Sequence, residues 1–343
     1  MLRLFMALGL LVSIAAAVII AWAHQLPGVM RPDREAPRSY LIANASLLDP
    51  ATGSVQENGH VMVIDGRIER VGTGPLPARP RIERGDILGP RLLTTGPILN
   101  EVGGRNRNAL HETVDGANEA RASVRRQYAA GFRHLKLYSN LSRESFAAIR
   151  DEAAVLGMTM SGHPVEGTPA DPVDFAASLG AGFQTLEHTE SIVWHALNDE
   201  TDPDGVRELA QQIAASGTMI DPTLVVHENL ARIVETRGAH ITRPAMASYN
   251  PVIAGHEQEN FEFWSQYQHD DRSRMQAFYV EVTGALHAAG VRLTVGTDSG
   301  VMVTPHGIST VREMEILVDA GLTPPEAIRA ATLNGAEALG LDG

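Results

Sequence analysis

The chain has no cysteine among its 343 residues. That absence excludes disulfides and thiolate metal sites, so any metal must be held by histidine, carboxylate or a modified lysine. Positive charge is also short: 28 Lys and Arg stand against 41 Asp and Glu, a formal net charge of -13, with the basic residues scattered along the chain. Phosphate binding needs a concentrated basic face, so no nucleic-acid partner is expected. Low-complexity tracts are missing, and 44% of the residues are hydrophobic, enough for a large core.

Charge is missing altogether from Leu4 to Ala23, which follow the basic start Met1-Leu2-Arg3 and end in the small-x-small triplet Ala21-Trp22-Ala23. This stretch, residues 1–23, reads as a signal peptide or an N-terminal membrane anchor. It is long enough to span a bilayer, which takes ~20 residues. Arg31, Arg34 and Arg38 on its far side blur the positive-inside signal, so cleavage and anchoring both stay open. Either outcome makes the body of the protein exported, periplasmic or extracellular. Membrane attachment, if any, runs through this segment.

What is present begins near Tyr40. Residues 40–49 and 60–71 alternate as strands around the turns Asn58-Gly59 and Asp65-Gly66, giving a small β-appendage over residues 40–87. Residues 88–343 alternate strand and helix, an α/β pattern of the barrel type. Strands are expected at 91–96, 132–138, 158–163, 183–188, 218–224 and 291–298. Helices are expected at 117–130, from Ser142 to 156, from Asp171-Pro172 to Gly180, at 204–216, at 272–289, and from Ser309 and Thr323. Residues 225–271 interrupt the rhythm and carry Phe261, Phe263, Trp264 and Tyr267. They read as a lid over the barrel mouth or as a helical excursion on its outer wall.

Four strand ends carry groups that can engage a divalent metal: Lys136, His163, His188 and Asp298. Lys136 to His163 spans 27 residues and His163 to His188 spans 25, close to the roughly 30 residues of one βα unit. Taken singly, each is more simply a core or rim residue, an ion-pair partner or a turn former. Together they place four polar groups at the strand ends where barrel chemistry occurs. Tyr138, His227 and His306 are candidates for contacting a small-molecule substrate. His60, His111, His134, His195, His240, His256, His269 and His287 lack strand-end placement and receive no role.

These residues resemble the amidohydrolase superfamily, in particular its imidazolonepropionase-like and prolidase-like members. Val63-Ile-Asp-Gly-Arg-Ile-Glu-Arg-Val-Gly72 is similar to the N-terminal β-sandwich signature, and Gly89-Pro-Arg-Leu-Leu-Thr-Thr-Gly96 to the third barrel strand. His134-Leu-Lys136-Leu-Tyr138 resembles the fourth strand, Gly162-His163 the fifth, Leu186-Glu-His188 the sixth and Val295-Gly-Thr-Asp298 the eighth. Ala320-Gly-Leu-Thr-Pro-Pro-Glu-Ala327 and Ala330-Ala-Thr-Leu-Asn-Gly-Ala336 resemble the closing helices.

The resemblance implies a metal-dependent hydrolase of carbon–nitrogen bonds that works by metal-activated water. It implies a divalent metal, with zinc the expected ion, held by a carboxylated Lys136 with His163, His188 and Asp298. Asp298 is then also the catalytic proton shuttle. The family's first strand ends in a His-x-His pair, and no His-x-His occurs in this sequence. The resemblance therefore implies an incomplete barrel lacking its first two strands, and an appendage lacking the C-terminal part of the β-sandwich. Two outcomes stay open: a one-metal hydrolase, or a catalytically impaired remnant that binds metal without turnover.

Overall fold

The computed structural model describes residues 40–64, 67–73, 93, 95–104, 110–236, 251–266 and 272–341. The expected N-terminal export segment lies outside them. Among the described residues no helix is long and apolar enough to cross a membrane.

The appendage is a three-stranded antiparallel sheet of β1 (Tyr40–Leu48), β2 (Val55–Ile64) and β3 (Arg67–Thr73). Tyr40 faces Val63 and Ile64 faces Arg67 in register. The remainder of the expected 40–87 unit, from residue 74 on, lies outside the described residues up to Leu93. Its turn at 50–53 docks on the C-terminal helices, where Arg329 Nη1 donates to the Ala51 carbonyl at 2.9 Å.

The main unit is a mixed α/β fold around a six-stranded parallel sheet. Its strands are β4 (Ile98–Glu101), β5 (His111–Val114), β6 (His134–Leu137), β7 (Thr159–Gly162), β10 (Phe183–Glu187) and β11 (Met219–Asp221), in the order β11-β10-β7-β6-β4-β5, with β8 (Gly167–Thr168) and β9 (Asp171–Pro172) forming a separate short ladder. A parallel bridge from Ile220 to Leu293 adds a seventh position beyond β11. No pairing among the described residues joins that edge to β5.

Alternation along each strand sorts the side chains. Leu99, Leu135, Leu137, Leu186 and Ile220 are fully buried in the main core. The intervening residues Lys136, Ser161, Thr185 and Met219 turn to the opposite face, as the period of two requires. The helices α1 (Gly116–Ala129), α2 (Arg143–Leu156), α3 (Thr189–Leu197), α4 (Pro203–Ser216), α5 (Leu224–Thr236), α6 (Pro251–Ser265), α7 (Arg272–Ala288), α8 (Ile308–Asp319) and α9 (Pro324–Arg329) complete the fold. Their ends follow local chemistry. Ser142 caps α2 by accepting the Ser145 N–H, Gly157 ends it in the left-handed region, and Asp202 caps α4 ahead of Pro203.

Several expectations are corrected. Of the strand expected at 91–96, residues 91, 92 and 94 lie outside the described residues and Thr95 only bridges to His134, while the strand here runs over Ile98–Glu101. Asp171-Pro172 starts no helix, because these residues pair with Gly167–Thr168 as a two-residue ladder, and a 3-10 turn capped by Asp174 follows at Phe175–Ser178. The strand expected over 218–224 stops at Asp221, and Leu224 already begins α5. The strand expected over 291–298 reduces to the bridge at Leu293. Within residues 225–271 the described parts are helical over 225–236 and 251–265 and end in a turn at Gln266. Phe261 packs there with Ile233 and Val303 while Phe263 is exposed, and Tyr267 lies outside the described residues.

One glycine fixes the sheet where the site begins. Gly162 has φ 140°, and a Cβ at that position would overlap the Leu137 carbonyl oxygen of the neighbouring strand. Gly162→Ala is expected to cost about 3 kcal/mol, because both the backbone conformation and the strand spacing resist it. Denaturant unfolding of the two proteins measures the loss.

Candidate active site

The carboxyl ends of β6, β7, β10 and β11 open onto one cluster. Strand alternation brings Lys136 of β6 and Tyr138 just after it to the same face as His163 after β7, Glu187 at the end of β10 and Asp221 at the end of β11. Four rings lie in a row, each tilted by 45–54° to the next. His111 and Tyr138 are 5.1 Å apart by centroid, Tyr138 and His163 4.4 Å, and His163 and His188 4.5 Å. Lys136 Nζ forms an ion pair with Glu187, and His188 Nε2 lies 3.9 Å from the same carboxylate.

His188 reaches the cluster by a backbone break. Alternation along β10 would turn it away from the face that Glu187 occupies. Instead its φ of 68° swings the chain into the start of α3, and its ring comes to lie against His163. Thr223 and Asp298 also sit at positive φ, 50° and 47°. Non-glycine residues hold that conformation only where the surroundings over-determine it.

The electrostatics follow from burial. Burial holds the His163 and His188 imidazoles well below the usual histidine range, reinforced at each by neighbouring Lys136, so both rings are neutral with lone pairs available. Burial lowers Lys136 as well, against the opposing pull of Asp298 and Asp221 and of the Glu187 carboxylate in contact with it. Asp221 is pushed up to about 6 by burial, opposed by Lys136, the Gly296 N–H and the Thr294 hydroxyl. Asp298 is raised by burial and drawn back by Lys136 and His227. Burial brings His227 down to about 4, and its ring meets Tyr279 edge-on at 5.1 Å.

Asp221 and the loop bearing Asp298 are fitted to each other. A Cβ on Gly296 would overlap the Asp221 carboxylate, so only glycine lets that carboxylate lie against the loop. The structure thus brings together Lys136, His163, His188 and Asp298, with Tyr138 and His227 beside them. It leaves His306 exposed, against Gly300.

Sequence reasoning missed Glu187, Asp221 and His111. Glu187 was signalled by its place two residues after Thr185 on a strand of period two. His111 had been given no role, yet it stands beside Tyr138 because β5 adds to the sheet edge beyond β4. Asp221 carried no signal beyond a polar residue at a strand end.

A divalent metal can be tested against these residues. His163 Nδ1 and Asp221 Oδ1 are buried with no hydrogen-bond partner, so each has a lone pair open to a ligand. His188 Nδ1 pairs with Thr223 Oγ1 at 2.7 Å, leaving Nε2 toward the cluster. Among the described residues no three His, Asp or Glu side chains stand as a ready metal site, and Lys136 is the further side chain beside the two imidazoles. A lysine ammonium binds no cation, whereas its carboxylated form presents oxygens that do. The donor chemistry therefore fits one ion.

Comparison with known proteins follows the same lines. Residues 57–343 match the family model described as "Amidohydrolase family". No curated protein sequence matches the chain. Among solved structures, a bottromycin amidohydrolase is similar at a TM-score of 0.71 and 20% identity, over 94% of this chain and 84% of that one. A Xaa-Pro dipeptidase with bound methionine in its active site is similar at 0.60 and 16% identity, over 89% of each chain. A molinate hydrolase is similar at 0.59 and 14% identity, over 89% of this chain and 86% of that one. At these identities the likeness is one of fold.

Proposed function

We propose, from the premise that this chain belongs to the amidohydrolase family, that it hydrolyses a carbon–nitrogen bond of a small molecule with one divalent metal ion, zinc by preference. The observation that carries this reading is the convergence of the buried His188, the half-buried His163 and Lys136 at the carboxyl ends of neighbouring parallel strands, and the exposed Asp298 on the loop beyond the Leu293 bridge.

Carboxylated Lys136, His163 and His188 would hold the ion. Three protein ligands and an open position are the usual arrangement of a catalytic zinc. Bound there, it would acidify water and polarise a carbonyl oxygen. Asp298 takes the proton from the attacking water and returns it to the leaving nitrogen, and its raised pKa suits both halves of that task. Burial of the Lys136 amine favours the free base, the form that reacts with carbon dioxide. Tyr138 and His227 line the space around the reacting carbonyl, and His306 stands at the rim. The relatives act, by their names, on bottromycin, on Xaa-Pro dipeptides and on molinate. Amides of small apolar acids and amino acids are therefore the substrate class to try.

A second reading is a chain that binds the ion without turnover. It is favoured by the lack of a ready three-carboxylate-or-histidine site and of a closing strand pair among the described residues. One experiment separates the two. Purified chain is assayed for bound zinc and for hydrolysis of Xaa-Pro dipeptides, N-acyl amino acids and molinate. At most about one ion per chain and turnover of at least one substrate support the hydrolase. Binding with no turnover on any of them selects the second reading, and no binding contradicts both.

A further inference from the structure

The turn between β11 and α5 divides two tasks that one residue ordinarily performs. A threonine preceding a helix usually caps it, its hydroxyl accepting an N–H of the first turn. Thr223 precedes α5, but its Oγ1 is 2.7 Å from His188 Nδ1 and so is committed elsewhere. The first N–H groups of α5 are satisfied from another helix. Glu313 on α8 accepts the Leu224 N–H at 2.9 Å and the Val225 N–H at 2.7 Å, one on each carboxylate oxygen. Glu313 is fully buried, as are Leu224 and Val225, and Thr223 is 3% exposed at a φ of 50°. Burying a carboxylate is costly, and this one spends both oxygens on holding a turn.

We propose that Glu313 is a positioning residue for the active site: by holding the N–H groups of Leu224 and Val225 it frees the Thr223 hydroxyl for His188 Nδ1 and so presents His188 Nε2 to the metal. The strained φ of Thr223 is what Glu313 sustains, since a β-branched residue leaves the left-handed region once nothing holds it there. Two further backbone bonds, His188 N–H to the Asp221 carbonyl at 2.8 Å and Thr189 N–H to the Pro222 carbonyl at 3.1 Å, tie the same two turns together. A shift at Leu224 therefore reaches His188.

The inference rests on His188 as a ligand, but its first test is read without metal. Nitrogen-15 spectra of the full, metal-free chain, with the His188 signal assigned by its loss in His188→Gln, give the tautomer of that imidazole. The wild type is expected to show one tautomer, protonated at Nδ1. Glu313→Gln sets an amide NH2 against one of the two N–H donors and is expected to give a mixture of tautomers. Its zinc affinity should fall by roughly 10-fold, the lower end for loss of an outer-shell partner. Thr223→Val keeps both Glu313 bonds and is expected to scramble the tautomer equally.

Glu313→Asp keeps the carboxyl one methylene shorter and is expected to show the same change to a smaller degree; it decides the matter if Glu313→Gln does not fold. An unchanged His188 spectrum in the folded Glu313 variant, or in Thr223→Val, overturns the proposal. A wild-type chain that binds no zinc, with the tautomer still scrambled in Glu313→Gln, overturns the ligand assignment and supports the positioning role.

Discussion

Replacing His163 and His188 together by alanine is expected to abolish zinc binding, from about one ion per chain to none. The two rings are the only neutral nitrogen donors that lie in contact, 4.5 Å apart by centroid, in the described cluster. Lys136 alone cannot retain an ion, because it would supply one of the three protein ligands that a catalytic zinc needs. Metal content measured by elemental analysis, on protein whose fold is checked by circular dichroism, reads the outcome directly. Retention of a full ion in the folded double variant would assign the metal to other residues, with Asp221, Asp298 and His111 the next to test.

The second large effect concerns Asp298. Asp298→Asn keeps the size of the side chain and removes its ability to accept a proton. The hydrolysis rate should therefore fall by roughly 10²- to 10⁴-fold, the usual loss on removing a general acid–base group. Metal content should change much less, because His163, His188 and Lys136 remain. The pH profile adds a check. The rise in rate with pH that reports Asp298 ionisation should vanish in the variant. A fall in rate that matches a fall in metal content would make Asp298 a ligand only.

Lys136 and His163 were legible in the sequence because each ends an apolar run whose alternate residues, Leu135, Leu137 and Met160, fill the core. His188 was legible from its motif, but strand alternation alone would have chosen Glu187 in its place. The deciding event is a positive φ that no periodicity encodes. The strand at 111–114 left little trace, since of His-Glu-Thr-Val only Val114 is fully buried and no apolar run announces it. Asp171-Pro172 has the local chemistry of a helix start, and a ladder with Gly167–Thr168 overrode it. Asp221 depends on the absence of a side chain at Gly296, far along the chain. Contacts of that kind exist only once the fold has formed, so local patterns could not have revealed them.

The central claim is that hydrolysis depends on a metal held by these residues. It is tested most directly by the rate on one accepted amide substrate, measured on the purified chain before chelation, after removal of the metal, and after reloading with zinc and bicarbonate. The rate is predicted to disappear with the metal and to return on reloading. A rate that chelation leaves unchanged would contradict the account.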